Sequence, residues 1–325
     1  MNGRFSLLYT IICSLLLMQL ASCQNQQTSV VDAGDEILQF YSLEEPFPPL
    51  VEPEANPTTP EKVALGRLLF FDPALSEAND VACATCHHPD FGFSDGLPRS
   101  IGTLGVPVER NAPALWNVGY VQDLHWDGRI ESLESQAIFP LGSALEMDVH
   151  NTDEMVAELL SYHEYAALFA AAFPGETIGM MQVENALAAF QRTLISDNSR
   201  FDRFVAGDET ALTASEQRGL NLFRSERTHC IECHTPPLFT DMSFRVVGAE
   251  GNDRGRAGVL FNGVEGSFRV PTLRNVALSA PYMHNGSIAT LEEVIDFYAA
   301  GGGRVRDVEN MDALIQGFEI STQER

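Results

Sequence analysis

Two five-residue stretches carry the most recognisable chemistry in this chain: Cys83-Ala84-Thr85-Cys86-His87 and Cys230-Ile231-Glu232-Cys233-His234. Cysteines two residues apart with a histidine next to them suit three uses: holding zinc, cycling as a dithiol, or attaching a haem. Zinc needs four ligands close in space, which the two stretches supply only by converging. A dithiol centre needs the cysteines alone. Neither use requires histidine directly after the second cysteine, twice. Covalent haem attachment does, because two thioether bonds hold the porphyrin edge while the adjacent imidazole reaches the iron. The expectation is two haem c groups, on Cys83 and Cys86 and on Cys230 and Cys233, with His87 and His234 as proximal ligands.

The other cysteines fit this use. Arg4 precedes the apolar run from Leu7 to Leu20, and Leu20-Ala21-Ser22-Cys23 then reads as a lipoprotein-type cleavage site. The run is short for a membrane span and is followed at once by polar residues. Residues 1–22 are therefore expected to be a signal peptide that leaves Cys23 lipidated, with the protein periplasmic and touching a membrane only through that lipid. Cys13 leaves with the peptide, so the two CxxC pairs account for the remaining cysteines, and a disulfide scaffold is excluded. The net charge of −25 repels nucleic acid and favours cationic partners.

These motifs need elements to position them. Residues 23–58 run into "EEPFPPLVEPEANPTTP", whose prolines and acids suit a flexible tether. The body starts at Thr59-Pro60, a cap with proline at the first helical position. "GRLLF" (66–70) precedes the first CxxCH and "GLNLF" (219–223) the second. Phe93-Ser94-Asp95 and Phe239-Thr240-Asp241 follow them, so the chain is weakly duplicated. Thr213 to Glu216 forms a capping box before the second unit. "NTDEMVAELLSYHEYAALFAAAF" and "VENALAAFQRTLI" have helical apolar spacing, whereas strand alternation is confined to stretches such as "SFRVVG". A mainly α fold follows, with long loops and two cytochrome c-like domains, 59–205 and 206–325.

Four longer pieces, "RNAPALWNVGY", "HWDGRIESLESQA", "PLGSALEM" and "VPTLRNVALSAPYMHNGSIATLEEVIDFY", make the chain from about Gly66 to Gly303 resemble the bacterial di-haem cytochrome c peroxidases, a family that includes the MauG maturation enzymes. The resemblance implies that Trp126 relays electrons between the haems and that Gln136 and Glu146 line the distal pocket of the N-terminal haem. It also implies calcium held between the domains by the Asn111 side chain and the Ser279 and Pro281 carbonyls, and it allows a homodimer. The residue types suit these roles. Splitting a bound peroxide requires a proton to move from its inner to its outer oxygen, which a desolvated carboxylate such as Glu146 performs. Gln136 donates a hydrogen bond but cannot shuttle a proton, which suits orientation. Taken alone, Glu146 reads as a surface acid and Trp126 as a core aromatic; His150, His163 and His229 read as ordinary surface or loop histidines.

Two positions depart from the pattern. Many family members close the resting N-terminal haem with a histidine sixteen residues after the proximal one, where this chain has Thr103. Between His88 and His125 there is no other histidine, and both are poor substitutes, since His88 adjoins the proximal ligand and His125 adjoins Trp126. The peroxide site is therefore expected to be open. Fourteen residues after His284, where many members carry a methionine ligand, stands Tyr298. Thr290 and Glu293 form a capping box, Leu291, Val294, Ile295 and Tyr298 then share one helical face, and Gly301 to Gly303 end the helix. Tyr298 is expected to point inward as the sixth ligand of the C-terminal haem. The expected activity is reduction of hydrogen peroxide with electrons from a small periplasmic cytochrome c or copper protein. The alternatives are oxidation of a protein or organic substrate by the same haems, and an electron-transfer cytochrome without turnover.

Overall fold

The computed structural model describes residues 47–325; the expected signal peptide, Cys23 and the tether up to residue 46 lie outside the described residues. The Thr59 hydroxyl accepts from Lys62 N, and Pro60 sits where a missing N–H costs nothing, so α1 (Pro60–Phe71) starts where its caps predict. α2 (Cys83–Cys86) is one turn carrying the first cysteine pair. α3 (Ile138–Gly142), α4 (Thr152–Ser161), α5 (His163–Ala172) and α6 (Met180–Arg192) complete the first half. α7 (Arg200–Val205) leads to α8 (Ala214–Phe223), α9 (Cys230–Cys233), which carries the second pair, and α10 (Leu291–Ala299). Among the described residues the only paired strands are β1 (Phe244–Arg245) and β2 (Phe268–Arg269), antiparallel and two residues each. The fold is mostly helical with long connections, as the sequence leads one to expect.

The run "NTDEMVAELLSYHEYAALFAAAF" forms two helices. Tyr162 is extended and ends α4 as it opens α5, which turns Met155, Val156 and Leu159 on one side and Tyr165 and Phe169 on the other into the same core. That core is closed by α1 packed against α6. Gly66, the first residue of "GRLLF", lies where they cross, and a Cβ there would overlap the Ala186 carbonyl. Its counterpart Gly219 in α8 faces open space.

The two halves are built unequally. The contiguous core runs from Leu65 to Leu194. Beyond it, the buried apolar side chains among the described residues are Phe204, Ala211, Leu238, Val246 and Val270, and neither α8 nor α10 buries a residue. A half with so few buried apolar groups lacks the burial that offsets chain entropy unless something large fills it.

Residues 47–58, part of the expected tether, lie against this body. Phe47 is buried beneath the Arg274 guanidinium, 4.6 Å from its ring centroid. Asn56 is buried too: its Nδ2 donates to Glu134 Oε1 at 2.9 Å and to Asn185 O at 3.1 Å, while Oδ1 accepts from Lys62 Nζ. The acids and prolines around these two residues build no core, but one aromatic ring and one fully bonded amide suffice to dock the segment.

The duplication reaches well beyond the CxxCH units. Asn117 and Asn275 both sit in the left-handed region and open short 3-10 turns, Val118–Tyr120 and Val276–Leu278. Leu124 bridges Ile130 and Tyr282 bridges Ile288, closing tight turns in which Gly128 and Gly286 have positive φ. These turns are exchanged between the halves. Asn111 N donates to His284 O and Arg269 N donates to Trp126 O, both at 2.8 Å. A Cβ on Gly128 would overlap Arg256 and Phe244 of the other half, and one on Gly286 would overlap Pro98. Trp126 and His284 thus occupy matching positions in a pseudo-twofold junction.

Candidate functional site

Each CxxC occupies a single helical turn, and the following histidine leaves it in the same way. His87 Nδ1 meets Phe93 O at 2.9 Å, and His234 Nδ1 meets Phe239 O at 3.0 Å. A carbonyl only accepts, so in both rings Nδ1 carries the proton and Nε2 keeps its lone pair. Burial pushes both imidazoles toward the neutral form. The Phe-Ser/Thr-Asp echo accounts for this geometry. Phe93 and Phe239 adopt positive φ, which turns their carbonyls to the rings; Ser94 Oγ donates to Ala112 O at 2.8 Å, and Thr240 Oγ1 to Val270 O at 2.6 Å. Asp95 and Asp241 each accept from the backbone N–H two residues on.

The four cysteines are unbridged. Burial raises the thiols, Cys83 to about 12 and Cys86 and Cys233 to about 11, the reverse of what a reactive dithiol needs. Among the described residues no three His, Cys, Asp or Glu side chains converge as a metal-binding group, so the two units do not form a shared zinc site. Paired thiols on one turn beside an oriented, neutral imidazole are what thioether attachment and axial ligation of haem require.

Glu146 follows α3 on a loop held by Glu146 N to Ser143 O (2.9 Å) and Met147 N to Pro140 O (3.2 Å). Burial raises its carboxyl pKa, against the opposing pull of a hydrogen bond from Ser143 and the charge of Arg129. Its charge is felt at Cys86, which places it beside the first attachment turn. Gln136 lies one residue before the Ala137 cap of α3; it is half-buried, and its amide has no hydrogen-bond partner among the described residues. Thr103 lies on a loop pinned to this segment: Thr103 N donates to Glu146 O at 2.8 Å, Thr103 Oγ1 donates to Asp80 Oδ1 at 2.7 Å, and a Cβ on Gly102 would overlap the Leu145 carbonyl.

Trp126 sits at the junction, its Nε1 donating to Asn111 O at 2.8 Å. Asn111 is buried, and its Nδ2 is committed to Leu97 O at 2.9 Å, which leaves Oδ1 as the side-chain atom free to ligate. Ser279 and Pro281 lead into the 282–288 turn whose His284 O receives Asn111 N. Beside Trp126, Asp127 is fully buried among Arg110, Arg129 and the other half's Arg256, which donates to the Asp127 and Gly128 carbonyls. Burial alone would raise the Asp127 carboxyl, but hydrogen bonds from Arg129 and Arg110 hold it at about 2. Arg110 also reaches Asp253 through two bonds.

Tyr298 stands on α10, whose Thr290–Glu293 capping box forms as expected. Its hydroxyl has no hydrogen-bond partner among the described residues. Burial raises it, and the thiols of Cys230 and Cys233 add to the shift, so Tyr298 faces the second attachment turn. Two histidines to which sequence reasoning assigns no site role are placed at the junction. His284 is buried, stacked on Phe268 at 3.7 Å, and lowered to about 4 by burial. His125 has a buried Nε2 without a partner and is likewise lowered to about 4 by burial. Their neighbours along the chain carried no signal of burial; positive φ at His125 and Met283 was the missing cue.

A family model for di-haem cytochrome c peroxidases matches residues 60–210. MauG of Methylorubrum extorquens is 41% identical over 310 residues, covering 94% of this chain and 86% of that protein. This chain is a member of the di-haem cytochrome c peroxidase family. Cytochrome c551 peroxidase of Nitrosomonas europaea is 33% identical over 260 residues, 78% of this chain and 76% of its own. The crystal structure of a MauG-like protein associated with microbial copper homeostasis superposes with a TM-score of 0.81 at 35% identity, covering 87% of this chain and 91% of that one. A di-haem peroxidase relative is thus an oxidoreductase carrying two haem c groups, and the cysteine and imidazole geometry fits both. Peroxidases and MauG proteins both stand among its relatives. Among the described residues no helix is long and apolar enough to cross a membrane.

Proposed function

We propose that this di-haem protein reduces hydrogen peroxide to two waters, taking two electrons from a small periplasmic cytochrome c or copper protein and two protons from solvent. The supporting observation is Glu146: a carboxyl raised by burial, beside the first attachment turn, is suited to accept and return a proton near neutral pH. The haems supply iron that binds peroxide and passes electrons. Glu146 moves the proton between the two peroxide oxygens, and Gln136, with its amide uncommitted, orients the bound molecule. Trp126, hydrogen-bonded to Asn111 at the exchanged junction, lies where electrons pass between the halves. Asn111 Oδ1 with the Ser279 and Pro281 carbonyls forms the oxygen-only set that calcium prefers. Tyr298 ligates the second haem, and the 59–205 and 206–325 halves act as two haem domains. Export and a lipid on Cys23 place the protein at a periplasmic membrane surface.

A second reading is oxidation of a protein or organic substrate by the same centres. Thr103 favours it, because the loop position that carries histidine in many peroxidases here bears a hydroxyl tied to Asp80. A purely electron-carrying cytochrome has no use for Glu146. Steady-state peroxide turnover with several reduced donors separates these readings. Glu146→Gln should keep both haem spectra and lose about a hundredfold to ten-thousandfold of peroxide-dependent turnover. Unchanged turnover would remove the proposed role of the carboxylate.

A further inference from the structure

Resting on the reading that the first CxxCH carries a haem, we propose that His125 is a third polar member of the peroxide pocket. Its Nε2 hydrogen-bonds the molecule held between Glu146 and Gln136 without itself ligating iron.

The inference starts from an orphaned atom. His125 Nε2 is sealed from solvent and has no hydrogen-bond partner among the described residues. Leaving a buried ring nitrogen unpaired forfeits its hydrogen bond to water without replacement, so such an atom in a folded protein calls for a partner the chain does not supply. The surroundings say where that partner sits. The His125 ring packs edge-on to Phe139 at 6.1 Å. Phe139 belongs to α3, the helix that separates Gln136 from Glu146, and its N–H donates to Gln136 O. The proximal imidazole of His87 acts on His125 electrostatically, and the Arg129 charge acts on both His125 and Glu146. One side chain is therefore in reach of the proximal ligand, the distal carboxylate's cation and the helix that bears the distal amide.

The backbone holds it there. His125 has positive φ within the tight Leu124–Ile130 turn, its carbonyl accepts from Gly128 N and Arg269 Nε (both 3.4 Å), and Trp126 O accepts from Arg269 N. The imidazole is thus positioned by the other half of the molecule. At the matching position of the second half stands Met283, which cannot donate, so the feature is confined to the haem site that also has Glu146.

Fluoride binding to the ferric holoprotein tests this without peroxide turnover, because fluoride bound at an open ferric haem is stabilised by nearby N–H donors. Wild type should show one high-spin haem and bind fluoride. His125→Phe should keep both haem additions by intact mass and the same resting spectrum, and weaken the fluoride Kd about tenfold. His125→Gln, which keeps an N–H donor and less apolar bulk, should fall between them. Equal fluoride affinity in wild type and His125→Phe would overturn the inference. So would a wild-type first haem that is low-spin and becomes high-spin in His125→Phe, since His125 would then be an iron ligand. If Glu146→Gln leaves turnover intact while the fluoride difference persists, the proposed proton-transfer role of Glu146 fails and the pocket assignment of His125 stands.

Discussion

The proposed ligand role of Tyr298 makes a sharp expectation for the second redox centre. Its hydroxyl is unpartnered, faces the second attachment turn and is held neutral by burial in the absence of a cation. Binding to ferric iron would supply that cation, and an anionic oxygen ligand favours the ferric over the ferrous state. Tyr298→Met should therefore raise the reduction potential of the C-terminal haem and change its low-spin signature, as read by redox titration of the visible and EPR spectra. An unchanged potential would leave Tyr298 as a core aromatic. With Thr103 in place of an imidazole, the fully ferric protein should also react with peroxide without prior reduction. Two low-spin ferric haems that react only after one-electron reduction would contradict this.

The elements show the duplication being used differently in each half. Both G-x-x-L-F segments form the helix before a CxxCH, but only Gly66 lies at a helix crossing, where Ala186 of α6 leaves no room for a methyl group. Gly66→Ala should cost about 1–3 kcal/mol through forced separation of α1 and α6. Gly219→Ala, in open space on α8, should be neutral or stabilise by about 0.5–1 kcal/mol through helix propensity. Thermal unfolding of the two variants gives an internal control, because the sequence change is identical. Equal effects would mean that the α1–α6 crossing does not set the stability of the first half.

Across the whole molecule, the first half carries a contiguous apolar core and the second does not. Removing the second attachment with Cys230→Ala and Cys233→Ala should then loosen α8 and α10, seen as fast backbone hydrogen exchange. Cys83→Ala with Cys86→Ala should remove one haem by mass and leave α1 and α6 protected. The halves are clamped through Arg110, which bonds both Asp127 of its own half and Asp253 of the other; the Asp127 carboxyl that holds this guanidinium in place is kept at about 2, below its ordinary value. A lowered folded pKa stabilises above the ordinary carboxylate range, and that stabilisation, about 2 kcal/mol, is lost as pH falls from about 4 toward 2. Asp127→Asn should be less stable than wild type at neutral pH, and the gap should narrow over that acid interval; a gap independent of pH would place the clamp elsewhere.

The features set by local covalent spacing were legible in the residues alone. They include the two attachment turns, the histidines beside them, the caps at Thr59, Thr213 and Thr290, and the helical class, because each depends on groups a few positions apart. Family-like motifs also placed Trp126, Gln136 and Glu146 in one block. The deeper duplication is also written in the residues, since Asn117 and Asn275, Gly128 and Gly286, and Ile130 and Ile288 share one spacing, but its meaning was not legible, because the side chains at the junction itself differ: Trp126 matches His284 and Asn111 matches Arg269. The docking of Phe47 and Asn56 and the burial of His125 were hidden for a similar reason, as each depends on surfaces brought from far along the chain. Only the folded molecule shows that the halves exchange their tight turns. Their partners lie in the opposite half, and no local pattern records a hydrogen bond made across that distance.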